Sequence, residues 1–402
     1  MRGRFHAGLG QDVAELSRLL TSGRGERGAS YLGQPAMLSA YLRFFLPWNI
    51  YRLCQVLPSL PLDLKDHDAV NDFGAGPLTL AASLWICRPE LRNTPLEFRC
   101  FDRTPAILEA GRKFFSALTA ALPPTEKNHS SCPWIVKTIK GEIKRSGTLS
   151  VEIRGKAATL SAAVNMYNEL FWDFSPTDTG ALDRFARNHA RLFSSLTNSQ
   201  GSVLVVEPGI PSSGEFISLL RAALIKEGRV PLAPCTHHSP CPLPGGRLES
   251  GNSPAPKPHG APVSFHKAKW CHFAFGTEDA PEALHKLSAA ARLPKERAVL
   301  SYIFAGSAPL AGKTSSEQVL QKKPGQKTAS EKTRVISDPF PVGQQWGRYG
   351  CAEPGLILIT GSKRDIEATP SWTLEELPLK SGVKDAKSGA IIAEITKYNM
   401  PS

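Results

Sequence analysis

The stretch that most limits the fold is DAVNDFGAGPLTLAASLW at residues 68–85, in which a short apolar run, a glycine turn and a helix-like segment follow one another. A second apolar run at 96–102 and a second stretch with helical spacing at 105–122 come next. Parallel strands need a long crossover between them, usually a helix. Because the same order continues through the apolar runs at 157–170 and 202–209, the sequence predicts an open α/β sheet.

The glycine turn has the composition of a cofactor-binding loop. Gly74 and Gly76 follow the first predicted strand, where glycines let a ligand approach the backbone. Asp102 ends the second predicted strand, where a carboxylate can accept hydrogen bonds from both hydroxyls of a ribose. A dinucleotide fingerprint has a third glycine, but Thr79 stands at that position. A tight strand-to-helix turn without a ligand is the alternative interpretation.

The DxGxG-like turn and the acid of the second strand resemble class I S-adenosylmethionine (SAM) methyltransferases. The resemblance implies that these residues position SAM, namely Asp72, Gly74, Gly76 and Asp102. Asn165 follows the fourth predicted strand and is added to the predicted cofactor-binding residues. Glu169 lies close behind it, in a region where such enzymes have substrate-facing residues. For both residues, an ordinary polar loop position is the alternative.

We predict four parts along the chain, which are an N-terminal helical region, a methyltransferase-like domain, a flexible linker and a small β-rich module, at residues 1–60, 61–306, 307–333 and 334–402. Two segments interrupt the second part. The Pro-, Ser- and Lys-rich stretch at 122–155 contains two strand-like runs and predicts a basic hairpin insertion. The other segment is a cysteine-rich loop at 231–272.

The chain contains 8 cysteines, and half of them predict a metal site. Cys54, Cys87 and Cys100 lie on apolar helical or strand patterns, where buried thiols are common, and Cys132 is given no role. The other four lie in loops or at strand edges: Cys235, Cys241, Cys271 and Cys351. Four thiols are the number that a tetrahedral zinc ion or an iron–sulfur cluster requires.

The spacing of these cysteines leaves the metal open. The pairs are not CxxC, and Cys351 is remote from the others. Zinc is possible with a histidine in place of one thiol, and the nearby candidates are His237, His238 and His272. An iron–sulfur cluster and cysteines without any metal are the other two interpretations. Disulfides are disfavoured because we expect a reducing compartment.

The net charge of +12 is unevenly distributed along the chain. Residues 61–121 and 161–220, which include most of the predicted sheet, contain more acidic than basic side chains, so the basic excess lies outside them. Basic segments around a nearly neutral core suit a polyanion such as RNA, because each neutralised phosphate releases counterions. A basic surface with no polyanionic partner explains the charge equally well.

No run approaches the length of apolar sequence that a spanning helix requires, which is about 20 residues. Residues 1–30 are rich in arginine but also contain Asp12, Glu15 and Glu26, which do not fit an organellar presequence. We therefore predict no cleaved signal, no membrane partner and a cytoplasmic location, with the mitochondrial matrix as the alternative for a eukaryotic source. A monomer is expected.

Two kinds of methyl-transfer chemistry find no support in the motifs. The dipeptide of Pro234 and Cys235 follows the helix after the fifth predicted strand, whereas the Pro-Cys nucleophile of RNA cytosine-C5 methyltransferases follows the fourth strand. The sequence also lacks an (N/D)PP(Y/F) motif for methylation of amino groups. The catalytic residues are therefore unknown at this stage.

A set of longer segments is similar to one family, the methyltransferase-like assembly factors of the small ribosomal subunit, which include mitochondrial and bacterial members. The segments are YLGQPAMLSAYLRFFLPWNIYRL, DFGAGPLTLAASLW, CFDRTPAILEAGRKFF, VLVVEPGIPSSGEFISLLR, PCTHHSPCPL and WCHFAF. This resemblance covers residues 30–306 well and the C-terminal module weakly. It implies association with small-subunit ribosomal RNA during assembly and a SAM fold with or without catalysis.

The same resemblance implies a [4Fe-4S] cluster bound by four cysteines, and the matching positions are Cys235, Cys241, Cys271 and Cys351. It therefore favours an iron–sulfur cluster, with zinc as the alternative. This chain departs from the family in its long loop before Cys271 and in the residues around Cys351, so the assignment of the fourth ligand depends on the weaker part of the match.

Overall fold

The structure is a computed structural model of the 402-residue chain. It describes residues 4–26, 31–124, 132–174, 180–245, 247–249, 265–267, 269–307 and 330–395. Most of the predicted linker, at 308–329, and much of the Pro/Gly/Ser-rich loop before Cys271, at 250–264, lie outside the described residues.

The described residues form helices and strands throughout both halves of the chain. The helices are α1 (Arg4–Leu20), α2 (Pro35–Ala40), α3 (Leu46–Cys54), α4 (Thr79–Cys87), α5 (Pro105–Ala121), α6 (Ala181–Leu196), α7 (Pro211–Lys226), α8 (Glu282–Ala290) and α9 (Lys363–Glu367). A π-helix, Tyr41–Phe45, joins α2 to α3.

The first ten strands are β1 (Asp68–Phe73), β2 (Leu96–Asp102), β3 (Ile135–Lys140), β4 (Ala158–Val164), β5 (Thr197–Pro208), β6 (Arg229–Ala233), β7 (Arg247–Glu249), β8 (Phe265–Lys267), β9 (Phe273–Gly276) and β10 (Arg297–Ser307). The remaining strands are β11 (Ser330–Val342), β12 (Gln345–Ala352), β13 (Gly355–Gly361), β14 (Leu374–Lys384) and β15 (Ile391–Glu394).

The chain forms two compact units. Unit 1 consists of Met1–Leu170, Ser195–Val205 and Phe275–Val299, and unit 2 consists of Phe171–Ser194, Val206–Ala274 and Leu300–Ser402. Strands β5, β9 and β10 contribute residues to both units.

The sheet of unit 1 has the strand order β3-β2-β1-β4-β5. β1 is parallel to β2 and β4, and β2 is parallel to β3. β1 is buried over nearly its whole length, as a central parallel strand covered on both faces should be. Helix α4 follows β1, and its residues Thr79–Trp85 are all buried. The predicted α/β fold is confirmed, and it is the open, mostly parallel sheet of class I SAM-dependent methyltransferases.

The structure differs from the predicted hairpin between residues 122 and 155. Ile135–Lys140 pairs in parallel with β2 and forms the edge strand β3 of the sheet. The second strand-like run of that segment forms only an isolated bridge, between Ile143 and Leu149. Side-chain alternation in β3 is the same for an edge strand and for a hairpin, so the sequence pattern could not separate the two arrangements.

The N-terminal region of unit 1 is helical, as predicted. Its apolar side chains form one buried cluster, whose members include Leu9, Val13, Leu16, Ala40, Phe44, Trp48, Ile107 and Leu284. Residues of α1, the π-helix, α3, α5 and α8 therefore share a core within unit 1. Trp48 also donates a hydrogen bond from Nε1 to Ser288 Oγ at 3.2 Å.

The C-terminal part of unit 2 is a closed barrel of strands in the order β11-β12-β13-β15-β14. β13 and β15 are parallel, the other pairs are antiparallel, and α9 lies between β13 and β14 in the chain. This is the five-stranded Greek-key barrel of the OB type. The β-rich module predicted from the sequence is thus confirmed. Also in unit 2, β6 pairs antiparallel with β10.

None of the helices in the described part of the chain is both long enough and apolar enough to cross a membrane.

Candidate functional site

The glycine turn after β1 depends on residues without side chains. Gly74 and Gly76 have φ angles of +67° and +53°, in the left-handed region that favours glycine. A Cβ atom on Gly74 would lie 2.7 Å from Met166 Cγ, so a side chain would also displace the segment after β4. Helix α5 approaches the same turn closely, because a Cβ on Gly111 would lie 2.5 Å from the carbonyl carbon of Pro77.

This turn forms one wall of an open cavity at the carboxyl ends of β1, β2 and β4, all within unit 1. In an open α/β sheet, ligands bind at this edge, where the strand order changes direction. The empty space, including the open mouth, is about 810 Å³. Four of the five predicted cofactor residues line it: Gly74, Gly76, Asp102 and Asn165.

Asp102 is held in one orientation by backbone amides. The Gly76 amide donates to Oδ2 at 3.0 Å, and the Thr104 amide donates to Oδ1 at 2.8 Å. Burial raises the pKa of this carboxyl group, and these hydrogen bonds oppose the increase. A carboxylate oxygen can accept more than one hydrogen bond. Asp102 therefore retains capacity for the two hydroxyls of a ribose.

Asn165 presents an unused acceptor at the cavity. It has a φ of +53°, and its Oδ1 is buried with no hydrogen-bond partner among the described residues. A buried polar atom without a partner is unfavourable unless a ligand or water supplies the missing contact. Because the ammonium group of SAM is a strong donor, this acceptor together with the glycine turn and Asp102 fits SAM.

Asp72, the fifth predicted cofactor residue, does not line the cavity. It is 1% exposed, and neither of its carboxyl oxygens has a hydrogen-bond partner among the described residues. Burial, and to a smaller extent the charge of Asp102, raises the pKa of Asp72 to about 8. The Asp72 side chain is therefore buried beneath the glycine turn, and its carboxyl group is mostly protonated and neutral at pH 7.

Further residues line the cavity, and two of them, Tyr41 and Met166, carried no sequence signal for this role. Tyr41, from the π-helix, lines the cavity, and its hydroxyl is 4.0 Å from the position of a Cβ on Gly76. Met166 also lines it. Glu169, noted as a possible substrate-facing residue, lines it with Arg103, and the two side chains are 3.7 Å apart. For residues 1–60, which contain Tyr41, the sequence predicts only a helical region.

Unit 2 contains a second cavity, which brings together the four cysteines predicted to bind a metal. Cys235, Cys241, Cys271 and Cys351 all line it, although they come from a loop after β6, the approach to β9, and β12. All 8 cysteines are free thiols. The sequence prediction therefore selected a group that shares one site and excluded Cys54, Cys87, Cys100 and Cys132, which do not line it.

Two basic side chains contact the sulfur atoms. Arg221 of α7, which is 3% exposed, donates from Nε to Cys235 Sγ at 3.1 Å. The same guanidinium donates from Nη2 to the carbonyls of His237 at 2.7 Å and Ser239 at 3.0 Å. His237 is buried, and its Nε2 lies 3.3 Å from Cys351 Sγ. Arg221 and His237 thus orient the loop around the thiols, a role that the sequence did not indicate for Arg221.

The electrostatics of this cavity oppose four thiolates in the absence of a cation. Burial raises the pKa values of Cys271 and Cys351, and the neighbouring cysteine charges raise them further. A bound metal reverses this preference, because a coordinating thiol is deprotonated. Among the described residues, however, no group of three or more His, Cys, Asp or Glu side chains is arranged to hold a metal ion. The four thiols supply the donor set of a thiolate-ligated centre.

No protein-family model and no curated protein matches the sequence. Among solved structures, the chain is similar to a geranyl diphosphate methyltransferase in complex with GPP and sinefungin, at 10% identity over 64% of this chain and 78% of that chain, with a TM-score of 0.32. It is similar to precorrin-6y C5,15-methyltransferase from Geobacter metallireducens GS-15 at 10% identity over 65% and 87%, with a TM-score of 0.29.

A methyltransferase from Pyrococcus furiosus is similar at 11% identity over 46% of this chain and 73% of that chain, with a TM-score of 0.28. Likenesses of this size do not decide a function. The assignment of the fold rests on the strand order and the parallel pairing of the chain itself.

Proposed function

We propose that this protein is a SAM-dependent methyltransferase that acts on small-subunit ribosomal RNA during ribosome assembly. The observation that carries the proposal is the cavity at the carboxyl ends of β1, β2 and β4. There, two glycines with positive φ, a carboxylate fixed by two backbone amides and a buried amide oxygen without a partner among the described residues face the same space.

The residues of this cavity have separable roles in the proposal. Asp102 accepts the ribose hydroxyls, the turn from Gly74 to Gly76 admits the cofactor against its backbone, and Asn165 accepts a hydrogen bond from the amino group. Bound SAM supplies an electrophilic methyl group on its sulfonium. The sequence motifs name no general base, and in this proposal the protein contributes the orientation of the two reactants.

Charge and resemblance support an RNA substrate. The chain has a net charge of +12 and a sequence pI of about 9.3, and a basic surface of this kind binds polyanions through counterion release. The similarity to small-subunit assembly factors, carried by segments between residues 30 and 306, suggests which RNA. The cytoplasm, or the mitochondrial matrix in a eukaryote, is the location in which this substrate and free thiols would both occur, and we propose a monomer as the acting form.

We also propose that Cys235, Cys241, Cys271 and Cys351 bind a [4Fe-4S] cluster. The four free thiols share one cavity, and Arg221 and His237 are close enough to donate to sulfur. Zinc is the alternative.

A second candidate function is a non-catalytic assembly factor that uses the same fold to bind RNA. The observation that favours it lies directly after β4, where the chain reads NMYN at residues 165–168 and has no (N/D)PP(Y/F) motif. In this alternative the cavity binds SAM for stability or regulation, and no methyl group is transferred. A third class, a SAM enzyme that modifies a protein or a small molecule, has no feature in its favour beyond the shared fold.

Incubation of the purified protein with methyl-labelled SAM and immature small subunits tests the first proposal. We expect label in the ribosomal RNA. SAM binding without transfer would contradict catalysis and support the non-catalytic factor, whereas label in protein or in a small molecule would support the third class.

The same assay should be run on Gly74→Ala, which we expect to weaken SAM binding at least tenfold because its Cβ meets Met166 and its φ is positive. Gly228→Ala is the matched control, since Gly228 has a φ of +79° but no atom of the described residues within 4 Å of its Cβ position. Both variants bear the backbone cost of about 1–2 kcal/mol for a non-glycine residue in this conformation. Equal SAM affinity of the two variants would contradict the assigned cofactor site.

A further inference from the structure

An open cleft on unit 2 is lined by four aromatic rings. Trp270 and His272 come from the segment on either side of Cys271, and Phe340 and Tyr349 come from β11 and β12 of the barrel. The empty space, including the wide mouth, is about 680 Å³. The cavity of unit 1 shares none of these residues, so the proposed methyl-transfer site does not explain the cleft.

The rings form two pairs, one stacked and one tilted. The centroids of Trp270 and His272 are 5.0 Å apart with an interplanar angle of 26°, and those of Phe340 and Tyr349 are 4.9 Å apart at 33°. Trp270 is held in place by a hydrogen bond from its Nε1 to the carbonyl of Gly209 at 3.1 Å. The walls of the cleft are therefore flat, aromatic and preformed.

These rings do not belong to the apolar core of the barrel. That core consists of a separate buried cluster, whose members include Val335, Ala352, Ile357, Ile359, Ile366 and Leu377. The four cleft rings are only partly buried. Partly exposed aromatic rings that are arranged in a concave surface are typical of binding sites, because each can accept a further stacked ring.

Both basic and acidic side chains surround the cleft, and the ammonium group of a lysine lies over one of the rings. Lys269 Nζ lies 3.8 Å from the centroid of the Tyr349 ring. The carboxylate of Asp338 also lines the cleft. Hydrogen bonds from Ser388, and to a smaller extent the charge of Lys269, lower the pKa of Asp385, so the turn between β14 and β15 lies near Lys269. A ligand with flat rings, an anionic backbone and amino groups matches this combination.

We propose that the cleft binds an unpaired nucleobase of single-stranded RNA, with the base stacked on the aromatic walls and a neighbouring phosphate paired with Lys269. This inference rests on the proposed RNA substrate and names the site that contacts it. Stacking platforms beside basic groups are the usual means of binding single strands, and the barrel type is one that commonly binds oligonucleotides. The bases of a duplex have no free faces, so duplex RNA would not enter.

Fluorescence anisotropy of the full-length protein with a fluorescein-labelled oligouridine of about 12 nucleotides, a length within the range that such barrels cover, measures the binding. Tyr349→Leu and Phe340→Leu remove an aromatic ring but retain apolar bulk, and each should weaken binding by about tenfold. Tyr349→Phe keeps the ring and should bind as the wild type does. Trp346→Leu changes an aromatic residue of the same strand that does not line the cleft, and it should also bind normally.

Photocrosslinking with 4-thiouridine in the oligonucleotide gives a readout that does not depend on affinity. We expect crosslinked peptides that contain Trp270 or Tyr349. Wild-type affinity in both leucine variants, with crosslinks elsewhere, would overturn the proposal. Equal competition by a duplex of the same length would also overturn it, because binding would then depend on charge alone.

The outcomes separate this inference from the proposed function. Methyl transfer to small-subunit RNA together with unchanged oligonucleotide binding by the leucine variants would contradict the RNA-binding role of the cleft and support the proposed function. A loss of oligonucleotide binding in the leucine variants, with no methyl transfer, would support the cleft and contradict catalysis. Displacement of the oligonucleotide by a proline-rich peptide, with no difference between Tyr349→Phe and Tyr349→Leu, would identify the cleft as a peptide site and overturn the RNA proposal.

Discussion

Asp72 shows how far a single residue can depart from what its motif suggests. The DxGxG-like turn predicts that this acid contacts the cofactor, but the structure buries it behind the cavity with both carboxyl oxygens lacking partners among the described residues. The strand register of the sheet explains why these oxygens lack partners. Asp72 is paired with Cys100 of β2 on one side and with Ala162 of β4 on the other. Neither neighbour supplies a hydrogen-bond donor strong enough to stabilise a carboxylate.

This burial predicts an unusual dependence of stability on pH. The pKa of Asp72 is about 8 in the folded protein, whereas a carboxyl group of an unfolded chain titrates at about 3.9. Between these values the folded state holds a proton that the unfolded state has released. The free energy of unfolding should therefore fall as pH rises through this window, by at most about 1.4 kcal/mol per pH unit for this one group.

Urea denaturation of the wild type and of Asp72→Asn, at about pH 5.5 and about pH 8.5, measures this effect. The wild type should lose more stability than Asp72→Asn at the higher pH, because the asparagine has no proton to release. Asp63→Asn is the control, since the Asp63 side chain is 79% exposed and should leave the pH profile unchanged. Parallel profiles for the wild type and Asp72→Asn would show that this carboxyl is not held neutral.

At the scale of an element, helix α7 organises the cysteine loop through one side chain. Arg221 is buried on the helix and donates to two loop carbonyls and one sulfur. A second guanidinium, that of Arg334 on β11, donates from Nε to the carbonyl of Pro234 at 2.9 Å. The loop has few apolar residues, so these hydrogen bonds take the place of a hydrophobic core.

Replacement of Arg221 by methionine should lower the free energy of unfolding by about 2–4 kcal/mol, because two buried carbonyls lose charged donors. The free energy of unfolding of Arg221→Lys should lie between those of the wild type and Arg221→Met, since an ammonium group lacks the planar fork of donors of a guanidinium. Arg191→Met on α6 is the matched control, because Arg191 is 66% exposed and its ion pair with Glu227, at 3.5 Å, should contribute no more than about 1 kcal/mol. Denaturant titration of the metal-free protein measures these free energies. An equal loss of stability in Arg221→Met and Arg191→Met would contradict the proposal that Arg221 organises the cysteine loop.

The elements that could be predicted from sequence were those with a local signature. The alternation of apolar runs and helical spacing predicted β1, α4, β2 and α5, because each period is visible within the element itself. For the edge strand β3 the sequence predicts half of a hairpin, which is wrong, because strand pairing depends on partners distant in the chain. The contributions of Tyr41 and Arg221 to their sites were missed for the same reason, since both side chains reach the sites only through tertiary packing.

At the scale of the whole molecule, the cysteine centre joins distant parts of the sequence within unit 2. Cys235 and Cys241 lie before β9, and Cys351 lies on β12 of the barrel, beyond residues 308–329. The sequence alone could select these cysteines by excluding the core thiols, but it could not show that they share a cavity. A metal bound by all of them would cross-link the barrel to the loop and stabilise both.

The final prediction concerns the metal itself. Protein purified without oxygen should be brown and contain iron and acid-labile sulfide, whereas colourless protein with stoichiometric zinc would contradict the cluster. Removal of the metal should then lower the melting temperature of the wild type but not that of Cys351→Ser, because the variant has already lost the link between the barrel and the loop. Cys132→Ser, whose thiol does not line the cavity, should respond as the wild type does. If metal removal destabilised the wild type and Cys351→Ser equally, Cys351 could not be a ligand, since two changes that break one bond cannot have additive effects.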